Sequence, residues 1–163
     1  MKRVSILVVA CLLALSNTAL ATTIQGAANL HQIDRSGISA RISFTDTGSV
    51  LRVTGSATGL TPGQHYFSLL YDNGSIPSGP VACEPSSSND ISFQQMLVGF
   101  WTVNGDGTGT LSRTLPGTLT LPPPFPPSIS SAYVPLSRVH TISIRHVEAR
   151  FTVQACGEIH TLD

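Results

Sequence analysis

The chain has 163 residues, with nine basic and nine acidic side chains and a formal net charge of zero. That balance leaves no basic patch for nucleic acid and no run of like charge that would read as a tail. Only 11% of residues are charged, against 14 Gly and 11 Pro, and the richness in Ser, Thr, Gly and Pro is ordinary for an exported β protein.

Lys2 and Arg3 precede an apolar run, residues 4–15, broken only by Ser5. The run is too short to span a bilayer. Ala19-Leu20-Ala21 is a small-x-small cleavage signal. Residues 1–21 therefore read as a secretory signal peptide, and residues 22–163 as one mature domain, secreted or periplasmic. Val8-Val9-Ala10-Cys11 leaves a second reading, a lipoprotein attachment site, against which stands an apolar run that continues past Cys11. No later stretch is long and apolar enough for a membrane helix. With Cys11 in the signal, Cys83 and Cys156 remain, and an even count in an exported chain implies a disulfide. The other reading is two buried free thiols. A bridge closing roughly 70 residues is worth about 4 kcal/mol in the loop-entropy account, less any strain.

Strand signals recur along the chain and helical periodicity is nearly absent. Residues 23–33 form a candidate first strand, turned at 35–37. Residues 38–46 alternate Ile38, Ala40, Ile42 and Phe44 against Ser39, Arg41, Ser43 and Thr45, the mark of a half-buried strand. Thr47-Gly48 turns the chain into a third strand at 50–58. Residues 59–63 make a corner, in which Pro62 sets φ and Gly63 frees it, and a fourth strand follows at 65–71. Residues 72–90 are long and irregular, and hold Cys83; loops of this length are usually functional or flexible. A strand centres on residues 96–101 within 93–103. Asn104-Gly105-Asp106-Gly107 is a hairpin turn, since its likeness to a calcium loop lacks the remaining oxygen ligands. A strand at 108–115 follows.

Residues 116–135 are Pro-rich and contain LPPPFPP. They read as a rigid polyproline surface loop, with a PxxP-type docking motif as the alternative. Residues 139–146 alternate with Ile142 and Ile144 inward, and 151–159 make the last strand. The fold class is all-β: an antiparallel Greek-key sandwich or barrel of about eight strands.

The ordered set Gly59-Leu60-Thr61-Pro62-Gly63, His65-Tyr66-Phe67, loop Cys83 and Ala155-Cys156-Gly157-Glu158-Ile159 resembles the copper/zinc superoxide dismutase family over residues 23–159. The resemblance implies a superoxide dismutase-like fold, with Gly59, Pro62, Gly63, His65 and Gly157 structural and the disulfide joining Cys83 to Cys156. It also implies where metal ligands should be. The two copper ligands after the corner fall on Ser68 and Leu70. The histidine and aspartate of a Val-Gly-Asp-Leu motif fall on Leu97 and Phe100. The last copper histidine falls on Arg145 when Ile142 and Ile144 are matched inward; sliding by one places His146 there but turns Ser143 and Arg145 into the core. The arginine that guides superoxide falls on Val153. No histidine lies between Asp72 and Leu97. Of the family's histidines only His65 is matched, and its implied role is to brace the corner by hydrogen bonding. Redox work on copper needs several neutral nitrogen ligands and an open position, and these positions do not supply them.

The remaining histidines, His31, His140, His146 and His160, are scattered. His140 and His146 share a strand face about 20 Å apart, while His31 and His160 would come near each other if the strand ends are adjacent. A weak surface metal site is the alternative to simple exposure. Asp72, Asp90, Asp106, Glu148 and Glu158 form no pair at acid–base spacing. Tyr66, Phe67, Tyr71, Phe100 and Trp101 read as an apolar extension of the core, or, if exposed, as a binding surface. The expectation is a non-catalytic structural or binding module with no cofactor, no nucleic acid and no stable membrane insertion. Its partner would be an unidentified protein or small ligand, and the resemblance leaves room for a homodimer. The alternative is a degenerate homologue that still binds copper or acts on superoxide through other ligands.

Overall fold

The structure is a computed structural model and describes residues 22–72, 83, 90–121 and 126–162. The expected signal peptide, most of the irregular stretch after residue 72 and the prolines 122–124 lie outside these. The strands are β1 (Ile24–Gln32), β2 (Ser39–Asp46), β3 (Leu51–Thr58), β4 (Tyr66–Tyr71), β5 (Leu97–Phe100), β6 (Thr102–Val103), β7 (Gly109–Leu115), β8 (Gly117–Thr120), β9 (Ser128–Ser131), β10 (Thr141–His146) and β11 (Thr152–Leu162). A helical turn, α1 (Phe93–Met96), precedes β5, with Ser92 and Gln95 closing a capping box. Among the described residues no helix is long and apolar enough to cross a membrane.

Alternation decides which side of each strand leaves water. In β2, Ile42 and Phe44 are buried while Arg41 and Ser43 are exposed; in β3 and β7 the buried set is Leu51, Val53 and Ala57, then Leu111 and Leu115. Nine strands form one antiparallel sheet in the order β5-β4-β10-β11-β1-β2-β3-β7-β6. The end strands, β5 and β6, are neighbours in sequence, separated only by Trp101. Residues 97–103 thus bring the two edges together, and the sheet curls into a nearly closed barrel. The Trp101 N–H donates to the Tyr66 carbonyl oxygen (2.9 Å) at the junction. The connections are Greek-key: β4 leaves β3 and pairs with β10, while β3 pairs with β7.

Trp101 fills the barrel from the junction. Its indole N–H donates to Ser68 Oγ (2.9 Å) on β4, and its ring lies against Gly55 on β3, where an added Cβ would come within 3.0 Å of the ring. Ile42, Leu70, Leu111, Ile142 and Ile144 complete this interior.

The corner at 59–63 carries the crossover from β3 to β4. Gly59 has φ +81, and a side chain there would run into the Gly37 carbonyl. Thr61-Pro62-Gly63-Gln64 closes with Gln64 N–H to Thr61 O (3.2 Å) and has Gly63 at φ +78; proline followed by a positive-φ glycine is what a type II turn needs. Leu60, between them, is buried at the barrel end and donates its N–H to Gly107 O (3.0 Å).

The Pro-rich segment differs from its sequence reading. Rather than a polyproline loop throughout, β8 and β9 pair as an antiparallel hairpin, with Leu119 opposite Ile129. Apolar residues alternating with Thr and Ser were enough to make strands on either side of the prolines. The chain then returns to the barrel through buried Val134 and Leu136. The buried Asp46 carboxylate receives this return: it accepts from Leu136 N–H (2.8 Å), the Tyr133 hydroxyl (2.8 Å) and Gly48 N–H (2.8 Å). Burial, then the hydrogen bond to Asp46 and its charge, push the Tyr133 phenol up to about 12. Replacing Asp46 with Ala strands the buried Leu136 donor, so the unfolding free energy should fall by about 2 kcal/mol. Urea unfolding reads this, and a change within the ordinary surface range of about 0.5 kcal/mol would show that Asp46 does not hold the return.

Candidate functional site

Every residue of β4 is buried, so this strand is covered on both faces. Its pairing with β10 sorts the side chains. Ile142 lies opposite Leu70, Ile144 opposite Ser68 and His146 opposite Tyr66; between them Thr141 faces Tyr71, Ser143 faces Leu69 and Arg145 faces Phe67. Directly opposed residues share a face and neighbours alternate. Ser68 and Leu70 therefore face the barrel interior, with Ile142, Ile144 and the Trp101 indole. Phe67, Leu69, Tyr71, Ser143 and Arg145 lie on the outer face. Phe100 and Leu97, paired with Phe67 and Leu69, belong to that outer side, and the Phe67 and Phe100 ring centres are 5.7 Å apart.

The positions that the resemblance assigns to metal ligands are thus divided by the sheet itself. Ser68 accepts a hydrogen bond from Trp101 and Leu70 is sealed in the core. Leu97, Phe100 and Arg145 are on the other side. No single ion could be held by both groups. The inward–outward sidedness read for β10 agrees with this register: Ile142 and Ile144 point inward, and Ser143 and Arg145 lie on the outer face. That outer face is nevertheless buried as well. The reason is a second layer over the outer face, which local alternation does not register.

Arg145 is the hub of that layer. Its Nε donates to the Tyr71 hydroxyl (2.9 Å), one terminal nitrogen to Phe151 O (2.7 Å) and the other to Cys83 O (3.0 Å). Tyr71 in turn shares a hydrogen bond with Ser143 Oγ (3.0 Å). Cys83 is bonded to Cys156 on β11. The guanidinium therefore ties together β4, Cys83 and the turn before β11. That turn holds Arg150 and Phe151 at positive φ (55 and 63), a conformation that side chains resist. The Phe151 carbonyl is fixed by Arg145 and its ring stands edge-on to Phe67 at 5.9 Å. Gly157 sits where β11 crosses β1, and a side chain there would meet the Asn29 backbone. Val153 lies opposite Arg145 on β11 and is buried.

At the barrel end below the corner, four polar side chains meet. His65 Nδ1 is 2.6 Å from Glu148 Oε1, and the His65 backbone N–H also donates to this carboxylate (3.1 Å to Oε2). His146 Nε2 is 3.2 Å from Glu148 Oε2 and 3.1 Å from Gln64 Oε1, while its ring stacks on Tyr66 at 4.7 Å. Glu148 so clasps the corner to the β10–β11 turn. Sequence spacing did not reveal this cluster, because His65 is distant from Glu148 along the chain; the only local signal was the His146-x-Glu148 step.

The other histidines stay apart. His31 lies opposite Cys156 and His160 opposite Ala27, so the strands are adjacent but the rings are offset by about 13 Å at strand rise. His140 sits just before β10, at the end opposite His146. Among the described residues no group of three or more His, Cys, Asp or Glu is arranged to hold a metal ion. Asp72 pairs with Arg138 (3.0 Å), and Asp106 accepts from Thr108 N–H (2.9 Å) within the 104–108 turn.

Burial would raise the Glu148 carboxyl, but the hydrogen bonds from the His65 ring and backbone N–H outweigh it and hold the group below the ordinary 4.5. A lowered folded-state value means that the clasp's contribution is fully present above pH 4.5 and is lost as pH falls through the folded value. The urea midpoint should decline more steeply with acid in the wild type than in Glu148→Gln; equal slopes between pH 6 and pH 3 would show that the clasp adds nothing. A scan against protein-family models finds no match for this chain, and a search of curated proteins finds none.

Proposed function

We propose that the chain is an exported, catalytically inactive domain of the copper/zinc superoxide dismutase type, serving as a structural or binding module outside the cytoplasm. The observation that carries the reading is the fate of the ligand positions. Ser68 and Leu70 are committed to the barrel interior, and Leu97, Phe100 and Arg145 to the packing of the opposite face. None of these side chains, as placed, offers an imidazole to copper, and the two sets cannot converge. The scaffold side of the resemblance is supported by the Greek-key barrel, by the 59–63 corner that carries the crossover into β4, and by the Cys83–Cys156 bridge from the following loop to the last strand. That bridge suits an oxidising compartment.

The residues present do not fit a copper–zinc centre, so no redox step is assigned to them. The test is direct. The mature protein, incubated with copper and zinc and desalted, should show no stoichiometric metal by native mass spectrometry and no superoxide dismutation above buffer. One bound copper per chain together with dismutase activity would overturn the reading.

A further inference from the structure

The barrel is hydrogen-bonded around its wall except at one seam. β5 pairs with β4 and β6 pairs with β7, but among the described residues β5 forms no ladder with β7, although the two lie side by side. The β8 strand folds back against this gap. Between them is a groove of about 360 Å³ lined by Phe100, Thr110, Ser112, Arg113, Thr118 and Thr120, among others. An adjoining hollow of about 370 Å³ shares Ser112, Arg113 and Thr118. These volumes are in the range of small-molecule sites.

Arg113 is the charged group of this groove. It occupies the side of β7 that elsewhere points inward through Gly109, Leu111 and Leu115. At the seam its stem packs over Gly99, where an added Cβ would lie 2.8 Å from Arg113 Cγ. One terminal nitrogen donates to Thr118 O (3.1 Å). Nε is buried and has no hydrogen-bond partner among the described residues. Among the described residues, the remaining N–H groups of the guanidinium are thus unspent, and no acidic residue lines either hollow. Leaving a buried Nε–H without an acceptor is unfavourable, and an acceptor entering the groove would relieve it.

The lining specifies what that acceptor should be. A single guanidinium matches a single negative charge, and its planar donors suit a carboxylate. A dianionic phosphate would bring a second charge with no cation to meet it. The threonine and serine hydroxyls both donate and accept, which suits ligand hydroxyl groups, and the half-buried Phe100 ring offers a face for C–H groups. We propose that the seam groove binds a small hydroxylated monocarboxylate of the sugar-acid class. Apart from Phe100, the groove shares no lining residue with the ligand positions of the resemblance, and the proposal holds whether or not the domain is catalytic.

Titration of the ¹⁵N-labelled mature protein with glucuronate, glucose and acetate, followed by amide chemical shifts, tests this. Glucuronate should give saturable shifts confined to residues 99–103 and 109–120. Glucose should give none at the same concentrations, and acetate should bind at least tenfold more weakly than glucuronate. Arg113→Gln should abolish the shifts. Thr110→Val, at an exposed strand position, should weaken binding severalfold while the rest of the spectrum stays unchanged, which separates loss of binding from loss of fold. No saturable response to glucuronate, an equal response to glucose, shifts centred elsewhere, or full binding by the folded Arg113→Gln or Thr110→Val variant would each overturn the proposal. None of these readouts depends on metal content, so the groove and the proposed absence of a copper centre stand or fall separately.

Discussion

Residues 97–103 are the constraint on which this structure turns. A sheet has two edges, and exposed edges invite pairing with other chains. Here a single run of chain supplies both, pairing with β4 through its first half and with β7 through its second. Trp101, at the change of partner, turns its ring into the barrel and reaches Ser68 across it. Gly55 leaves room for that ring, and Gly109 leaves room for Leu60 at the barrel end. The interior is therefore a consequence of how the wall is closed. So is the seam: a stave that changes partner midway leaves the stretch between β5 and β7 without a ladder, and Arg113 enters there.

The outer face of β4 and β10 is organised by a different rule. A sheet face that loses water needs partners for every polar group on it. Arg145, Tyr71 and Ser143 satisfy one another and then reach the carbonyls of Phe151 and Cys83. The disulfide fixes the Cys83 side chain. Arg145 also holds the Cys83 carbonyl, and the same guanidinium bonds the Phe151 carbonyl in the positive-φ turn at Arg150 and Phe151. These three acceptors share one buried guanidinium, so losing any one of them would weaken the pairing of a charged group.

What could be read from sequence follows from how local each signal is. β2, β3 and β7 have one wet face, and their alternation was plain. The corner was legible because Gly59, Pro62 and Gly63 are residue types that the backbone there demands, and the bridge because Cys83 and Cys156 remain as a pair. β4 and β10 were harder. With both faces covered, Ser143 and Arg145 look outward-facing in sequence yet are buried. The β8–β9 hairpin was hidden by the prolines between its strands in the sequence, which dominate the composition of the segment while the strand-forming residues flank them. The Glu148 clasp and the Arg113 groove depend on side chains brought together across the fold, and no period in the sequence encodes them.

The sidedness of Ser68 and Leu70 has a consequence for how far the scaffold is from metal chemistry. Placing imidazoles at these two positions would not create a ligand set. A histidine at Ser68 would displace the Trp101 indole that plugs the junction, and one at Leu70 would put a polar ring against Ile142, where an unpaired nitrogen costs about 1–3 kcal/mol. Neither could meet a ligand at Arg145, because the sheet lies between. The face that could gather side chains from both strands is the one bearing Phe67, Leu69 and Arg145, and the Phe100 and Phe151 rings and Cys83 lie against it. The distance from an enzyme of the resembled type is thus one of packing as well as of residue identity: the outer layer would have to open, and Arg145 would have to release all three segments it holds, before any donor placed there could reach an ion.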